Sequence, residues 1–191
     1  MIMGLFSKKK AWKFQFKGHE ILMANTLTDF RLYVDGEPYN DGNGKTVFTY
    51  NSAVITVEDS PLVISLFASF LGDLSDLVVT GDIVELQSDE SNKEFIAKDI
   101  CGCTLRMTEK LSGRRVYLND ELIHINTALS QDVVTPIMLW IDNKPVFLVP
   151  KVTEVTKLGI AKTAYTAVVN GYGINTICGK YDEKTKEFTE G

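Results

Sequence analysis

Residues Phe16–Glu37 read FKGHEILMANTLTDFRLYVDGE, and residues Ile100–Glu121 read ICGCTLRMTEKLSGRRVYLNDE. Laid 84 positions apart without a gap, they agree at Gly18/Gly102, Met23/Met107, Leu27/Leu111, Arg31/Arg115, Tyr33/Tyr117 and Glu37/Glu121. Matched apolar pairs fall between these (Phe16/Ile100, Ile21/Leu105, Leu32/Val116, Val34/Leu118), as does the turn pair Asp35/Asn119. A second echo sets Val78-Val79-Thr80-Gly81 against Val168-Val169-Asn170-Gly171 at a spacing of 90. Self-similarity at a fixed spacing predicts two modules of one build. The expected division is a flexible basic lead-in over 1–10, a first β module over 11–90, a second over 95–181, and a polar tail or short edge strand over 182–191. The polar run Gln87–Glu94 marks the boundary between modules.

Outward from the repeat, the pattern is that of strands. Trp12, Phe14 and Phe16 alternate with polar residues, as do Phe30, Leu32 and Val34, so each set shares one strand face. Asp35-Gly36 suits the positive φ angles of a tight hairpin, and Asn119-Asp120 stands in its place in the second copy. Further hairpins are expected at Thr46–Tyr50 with Val54–Val57 around Asn51-Ser52-Ala53, and at Ile137–Ile141 with Val146–Val149 around Asp142–Pro145. A last one joins Ala164–Val169 to Ile174–Tyr181 around Asn170-Gly171-Tyr172-Gly173. The boundary residues of Ser60–Gly72 predict a helix: Ser60 can cap, Pro61 suits the first turn and Gly72 the stop. Its all-round apolarity also fits a buried strand, and Lys157–Thr163 is a weaker counterpart. The expected fold is mainly β: two tandem duplicated antiparallel β-sandwich-like modules with one or two short helices. Phe30, Leu32, Val34, Leu66, Phe67, Phe70, Val116, Leu118, Leu139 and Ile141 are the expected core.

Composition narrows the functional classes. With 45% hydrophobic and 24% charged residues among 191, the chain is expected to be an ordinary soluble globular protein. A net charge of −5 argues against nucleic acid as partner, which a basic face would attract. No run of eighteen apolar residues occurs, so no membrane span is expected. The segment Met1–Lys10 resembles neither a secretory signal, since its charges follow the apolar residues, nor a myristoylation site. Three cysteines without such a signal imply free thiols in a reducing compartment, and the cytoplasm is the expected location.

Candidate chemistry is thin. Cys101 and Cys103 could ligate zinc with Cys178, His124 or His19, but the spacing is one residue short of the usual pair and no second close pair exists. On a strand they would share one face as structural thiols, so no metal and no disulfide between them is expected. Two histidines without a nucleophile-turn signature leave no expected catalytic residue. Asp41-Gly42-Asn43-Gly44-Lys45 opens like a calcium loop but puts a lysine where an oxygen ligand belongs. Asn170-Gly171-Tyr172-Gly173 departs from the dinucleotide fingerprint, so no cofactor is expected. What recurs is Arg-x-Tyr: Arg31/Tyr33 and Arg115/Tyr117 face away from their apolar neighbours in both copies. Either they pack across strands, guanidinium on ring, or they form a candidate contact patch, since Arg and Tyr are enriched at interfaces.

The run Arg31-Leu32-Tyr33-Val34-Asp35-Gly36-Glu37 and its partner Leu111–Glu121 resemble a hairpin of the Fas apoptosis inhibitory molecule family. The following Gly44-Lys45-Thr46-Val47-Phe48 and Val-Ile-Thr-Val strands are similar too, although Pro61–Leu71 and the tryptophans Trp12 and Trp140 depart from the pattern. The resemblance implies tandem β-sandwich modules and a protein-binding, non-catalytic role. The expected function is thus a non-enzymatic cytoplasmic binding or scaffolding protein with a protein partner. The alternatives are a small-molecule or metal-binding enzyme with a site between modules, and a homo-oligomeric structural protein pairing through strand edges.

Overall fold

Pairs of residues with left-handed backbone set the outline. Lys17-Gly18, Asp35-Gly36, Glu58-Asp59, Cys101-Gly102, Asn119-Asp120 and Asp142-Asn143 all have φ between 46° and 83°. Two such residues in succession make the turn whose twist matches antiparallel strands, so each pair closes a two-residue hairpin. The computed structural model describes residues 8–25, 30–39, 51–68, 74–89, 91, 93–110, 112–126, 134–155, 157 and 161–191. Among these residues the regular structure is all strand. In chain order the strands are β1 (Lys8–Phe16), β2 (His19–Asn25), β3 (Phe30–Val34), β4 (Glu37–Pro38), β5 (Ser52–Val57), β6 (Ser60–Ala68), β7 (Leu74–Glu85), β8 (Gln87–Asp89) and β9 (Glu94–Ile100). They continue with β10 (Cys103–Lys110), β11 (Gly113–Leu118), β12 (Glu121–Asn126), β13 (Ile137–Ile141), β14 (Lys144–Val155), β15 (Ala161–Gly173), β16 (Ile177–Asp182) and β17 (Glu187–Glu190).

Three antiparallel sheets result. Sheet I has the order β17-β16-β1-β2-β3-β4, sheet II β13-β14-β15-β7-β6-β5, and sheet III β12-β11-β10-β9-β8. Sheet I lays Trp12, Phe14, Ile21, Met23 and Leu32 on Ile55, Leu62, Ile64 and Val78 of sheet II. Sheet III lays Phe95, Leu105, Met107 and Val116 on Leu139, Ile141, Val146, Leu148 and Ala167 of the same central sheet. Each large side chain buried in these layers contributes about 1.5–3 kcal/mol. By strand alternation Val63, Val79, Phe147, Val149 and Val168 point the other way, and they form a third cluster. Sheet II curls around that cluster far enough for its two ends to meet. The Asn51 side-chain amide donates to the Pro150 carbonyl at 3.2 Å and accepts from the Val152 N–H at 2.9 Å. Strand β13 pairs with β14 only as far as Leu148, so Asn51 stands in for a strand along the free edge beyond it.

The two halves of the chain are interleaved. Strand β8 follows β7 but pairs with β9 in sheet III, and β16 follows β15 but pairs with β1 in sheet I. The first half therefore sends β8, and the second β16 and β17, to the outer sheet of the other. The pairings Leu22↔Tyr33, Met23↔Leu32 and Ala24↔Arg31 have the counterparts Arg106↔Tyr117, Met107↔Val116 and Thr108↔Arg115 at a shift of 84. Ile55↔Leu62 and Leu139↔Val146 correspond in the same way. The echo at 90 is out of step. Val63↔Val79 corresponds to Phe147↔Val168, which sets Val79 rather than Val78 against Val168 on one face.

Several expectations are corrected. Ser60–Ala68, read from its boundary residues as a helix, is strand β6, and no helix occurs among the described residues. Its continuous apolarity reflects burial on both faces, with Leu62, Ile64 and Leu66 packed one way and Val63 the other. Ser52 and Ala53 lie in β5, whose hairpin partner is β6 around Glu58-Asp59. Strand β15 runs unbroken through Asn170–Gly173, where a register shift against β7 replaces the expected turn. Cys101 and Gly102 form the β9–β10 turn with positive φ rather than a strand. In the expected core Leu32, Leu66, Val116, Leu139 and Ile141 are buried, whereas Phe30, Val34, Phe67 and Leu118 are half-buried. Phe70, Thr46–Tyr50 and the Asp41–Lys45 loop lie outside the described residues.

Candidate contact surface

The Arg-x-Tyr residues lie on the outer faces of sheets I and III, away from the cores, because Leu32 and Val116 between them point inward. Their surroundings differ. On sheet I, Ala11, Leu22, Ala24 and Tyr181 are buried on this outer face, with Tyr33 and Phe188 packed against them. Tyr181 of β16 packs its ring 5.4 Å from that of Tyr33. Glu183, in the β16–β17 turn, accepts from Lys9 Nζ at 2.7 Å, from Arg31 Nη1 at 3.1 Å and from the Tyr33 hydroxyl at 3.3 Å. Burial alone would raise the Glu183 carboxyl, but Lys9, Arg31 and Tyr33 together hold it below the usual range. Burial and the Glu183 charge push the Tyr33 and Tyr181 hydroxyls up. The chain's own C-terminal hairpin thus closes the first Arg-Tyr pair.

Among the described residues no hairpin like β16–β17 extends sheet III, whose edge strand β8 spans three residues. Arg115 is exposed and has no ion-pair partner among the described residues. The guanidinium that stacks on Tyr117 comes from Arg106, its cross-strand neighbour, 4.1 Å from the ring centroid. Arg106 also pairs with Glu94 and Asp120, each at 3.4 Å. Leu22 occupies the corresponding place on sheet I. A bulge in β12 then adds apolar surface. Tyr117 pairs with Leu122 while Val116 pairs with His124, so Ile123 is the extra residue. Leu122 and Ile125 therefore share the outer face with Tyr117 and Arg115, and are 44% and 50% exposed. Arg106, Tyr117 and Leu122 make one cross-strand row on this face, and Arg115 and Ile125 lie in the next.

The other candidates are structural. His19 lies between two carboxylates, its Nδ1 2.6 Å from Asp35 Oδ2 and its Nε2 3.4 Å from Glu58 Oε1. Both hydrogen bonds raise the imidazole pKa above its ordinary value, and the His19 bond lowers that of Asp35. With carboxylates on opposite ring nitrogens the three do not converge on one point. The cluster ties sheet I to the β5–β6 turn. At a shift of 84 stand Cys103, Asn119 and Asp142. Of the cluster's bonds, the one that Asp35 accepts from the Glu20 N–H recurs, as Asn119 with Thr104. All three cysteines are free: Cys101 and Cys103 half-buried, Cys178 exposed. No group of three or more His, Cys, Asp or Glu side chains converges among the described residues. At the end of the second core, Glu109 Oε2 accepts from Thr163 and Tyr165, each at 2.9 Å. Arg114, buried opposite Glu109, leaves both terminal nitrogens without hydrogen bonds. Burial and the Glu109 charge push the Tyr165 hydroxyl up.

The chain matches no family model, no curated protein and no solved structure. No helix among the described residues is long and apolar enough to cross a membrane.

Proposed function

We propose that this is a non-enzymatic binding or scaffolding protein of the cytoplasm that engages a protein partner through the outer face of sheet III. The observation that carries the proposal is the contrast between two corresponding faces: Arg31 and Tyr33 lie under Glu183 and Tyr181, whereas Arg115, beside Tyr117, is exposed next to Leu122 and Ile125. Aromatic and arginine side chains beside aliphatic ones are the composition of interface centres. The bulge in β12 disrupts that strand's outer edge, which directs a partner to the face rather than to edge pairing. We also propose that the halves descend from one duplicated unit; the strand pairings and turn bonds that recur at a shift of 84 support this. The non-catalytic role implied by the hairpin resemblance is in keeping with both.

The test places a photo-crosslinking amino acid at position 117 and, as a control, at exposed Tyr172 on sheet II. A discrete protein captured from position 117, absent from position 172 and lost in Arg115→Glu, supports the proposal. Capture that ignores Arg115→Glu, or no capture, defeats it.

A further inference from the structure

We infer that the outer face of sheet III receives an acidic-aromatic protein segment, a carboxylate two residues after an aromatic ring, as Glu183 follows Tyr181 on sheet I. The inference rests on the binding role proposed above and adds the chemistry of the partner. Arg115 and Tyr117 repeat Arg31 and Tyr33 in residue type, strand register and outward direction. On sheet I that pair holds one carboxylate and one ring, supplied by strand β16 of the same sheet and the turn that follows it. On sheet III the same pair is present while Arg115 has no carboxylate partner among the described residues. Charge complementarity therefore selects an acidic side chain for Arg115, where a hydrogen-bonded ion pair is strongest.

The differences between the faces refine the ligand. Arg106, its guanidinium carbon 4.1 Å from the Tyr117 ring centroid, offers a planar group to an incoming ring, as arginine commonly does to aromatics. Leu122 and Ile125 extend the surface beyond the pair and favour a further apolar side chain on the ligand. Glu94 and Asp120 already pair with Arg106, so the ligand's carboxylate belongs with Arg115. Lys93, exposed before β9, adds positive charge near that strand's start.

The probe is a synthetic peptide with the sequence of residues 179–190, titrated into the whole isotope-labelled chain and followed by backbone amide NMR. Saturable shifts at Arg115, Tyr117 and Leu122 are expected. Arg115→Glu, or Glu183→Lys within the peptide, should weaken binding by about tenfold or more. Combining the two should recover part of the loss, which a nonspecific charge effect on one side would not produce. Shifts confined to sheet I, affinity unchanged in Arg115→Glu, or no shifts at millimolar peptide would each overturn the inference. A partner crosslinked at position 117 that the peptide fails to displace also refutes it, while leaving the binding role standing. Absence of any crosslinked partner defeats the binding role itself.

Discussion

Replacing Gly81 by alanine should measure how tightly the central sheet is wound. Gly81 lies where β7 crosses β15, and a Cβ there would fall 2.8 Å from the Val169 carbonyl oxygen and 2.9 Å from the Gly171 Cα. The third neighbour is Val168 Cγ1 at 3.0 Å. Two of the three contacts are backbone atoms held in the sheet, so no rotamer change relieves them and the strands must separate. Gly173, whose partner Val79 lies two positions along β7 from Gly81, is the internal control, because its nearest neighbour is the Val78 carbonyl oxygen at 4.0 Å. Neither glycine has a positive φ, so backbone strain does not enter the comparison.

Overpacking costs about 1–3 kcal/mol, and contact with backbone places Gly81→Ala near the upper end. Loss of chain entropy in the unfolded state offsets this by about 0.4–1 kcal/mol, a gain that Gly173→Ala keeps in full. Gly81→Ala should therefore lose about 2 kcal/mol, and its Tm should fall by roughly 4–8 °C for a chain of this size. Gly173→Ala should match the parent or exceed it. Gly171→Ala should fall between, since its Cβ meets the Phe147 ring at 2.9 Å, a side chain able to shift. Urea unfolding at constant pH reads all three. Equal stabilities for Gly81→Ala and Gly173→Ala would refute the close crossing.

Asn51→Ala removes the side chain that closes the curl of sheet II and leaves the Pro150 carbonyl and Val152 N–H unpaired, an expected loss of about 1–3 kcal/mol in urea unfolding. Tyr165→Phe should cost about 1 kcal/mol by removing one donor to Glu109, whereas an unchanged midpoint would place that hydroxyl outside the network. The His19 imidazole should titrate by NMR above the ordinary value near 6.5 and return toward it in Asp35→Asn. Because the folded-state value is raised, the stabilisation from His19 is fully present below the unfolded value and is lost as pH rises through the folded one. A His19→Gln chain whose stability keeps the parent's pH dependence across that window would contradict the assignment.

How much of this was legible in the sequence varies by element, for physical reasons. The hairpins at Asp35-Gly36 and Asp142-Asn143 were legible because their residue types tolerate positive φ. Strand β6 was not, since burial on both faces erases the alternation that distinguishes a strand from a helix. Asn170-Gly171 looked like a turn, yet the same residues relieve close approach where β15 crosses β7, and a glycine serves either purpose. The exchange of β8 and β16 leaves no local signal, because it depends on pairing between strands far apart in the chain.

The candidate surface divides along the same line. Arg31, Tyr33, Arg115 and Tyr117 were found because they recur at a fixed spacing, but recurrence cannot say whether a face is covered. That was decided by Glu183 and Tyr181, some 150 residues away from the side chains they hold. Arg106 was detectable at the same spacing as a mismatch, an arginine where the first half has Leu22. The same holds for His19 against Cys103. Among the pairs that agree at the spacing of 84, Met23 and Met107 sit in cores and Gly18 and Gly102 in turns that both halves need, while the Arg-x-Tyr pairs lie on the outer faces. Mismatched positions carry what one half has alone: a titrating tie at His19 in the first, and at Arg106 in the second a guanidinium over Tyr117 paired with Glu94 and Asp120. If the halves are copies of one unit, as proposed above, disagreement between them takes the part that conservation plays elsewhere, because each half shows which side chains the other's fold does not require.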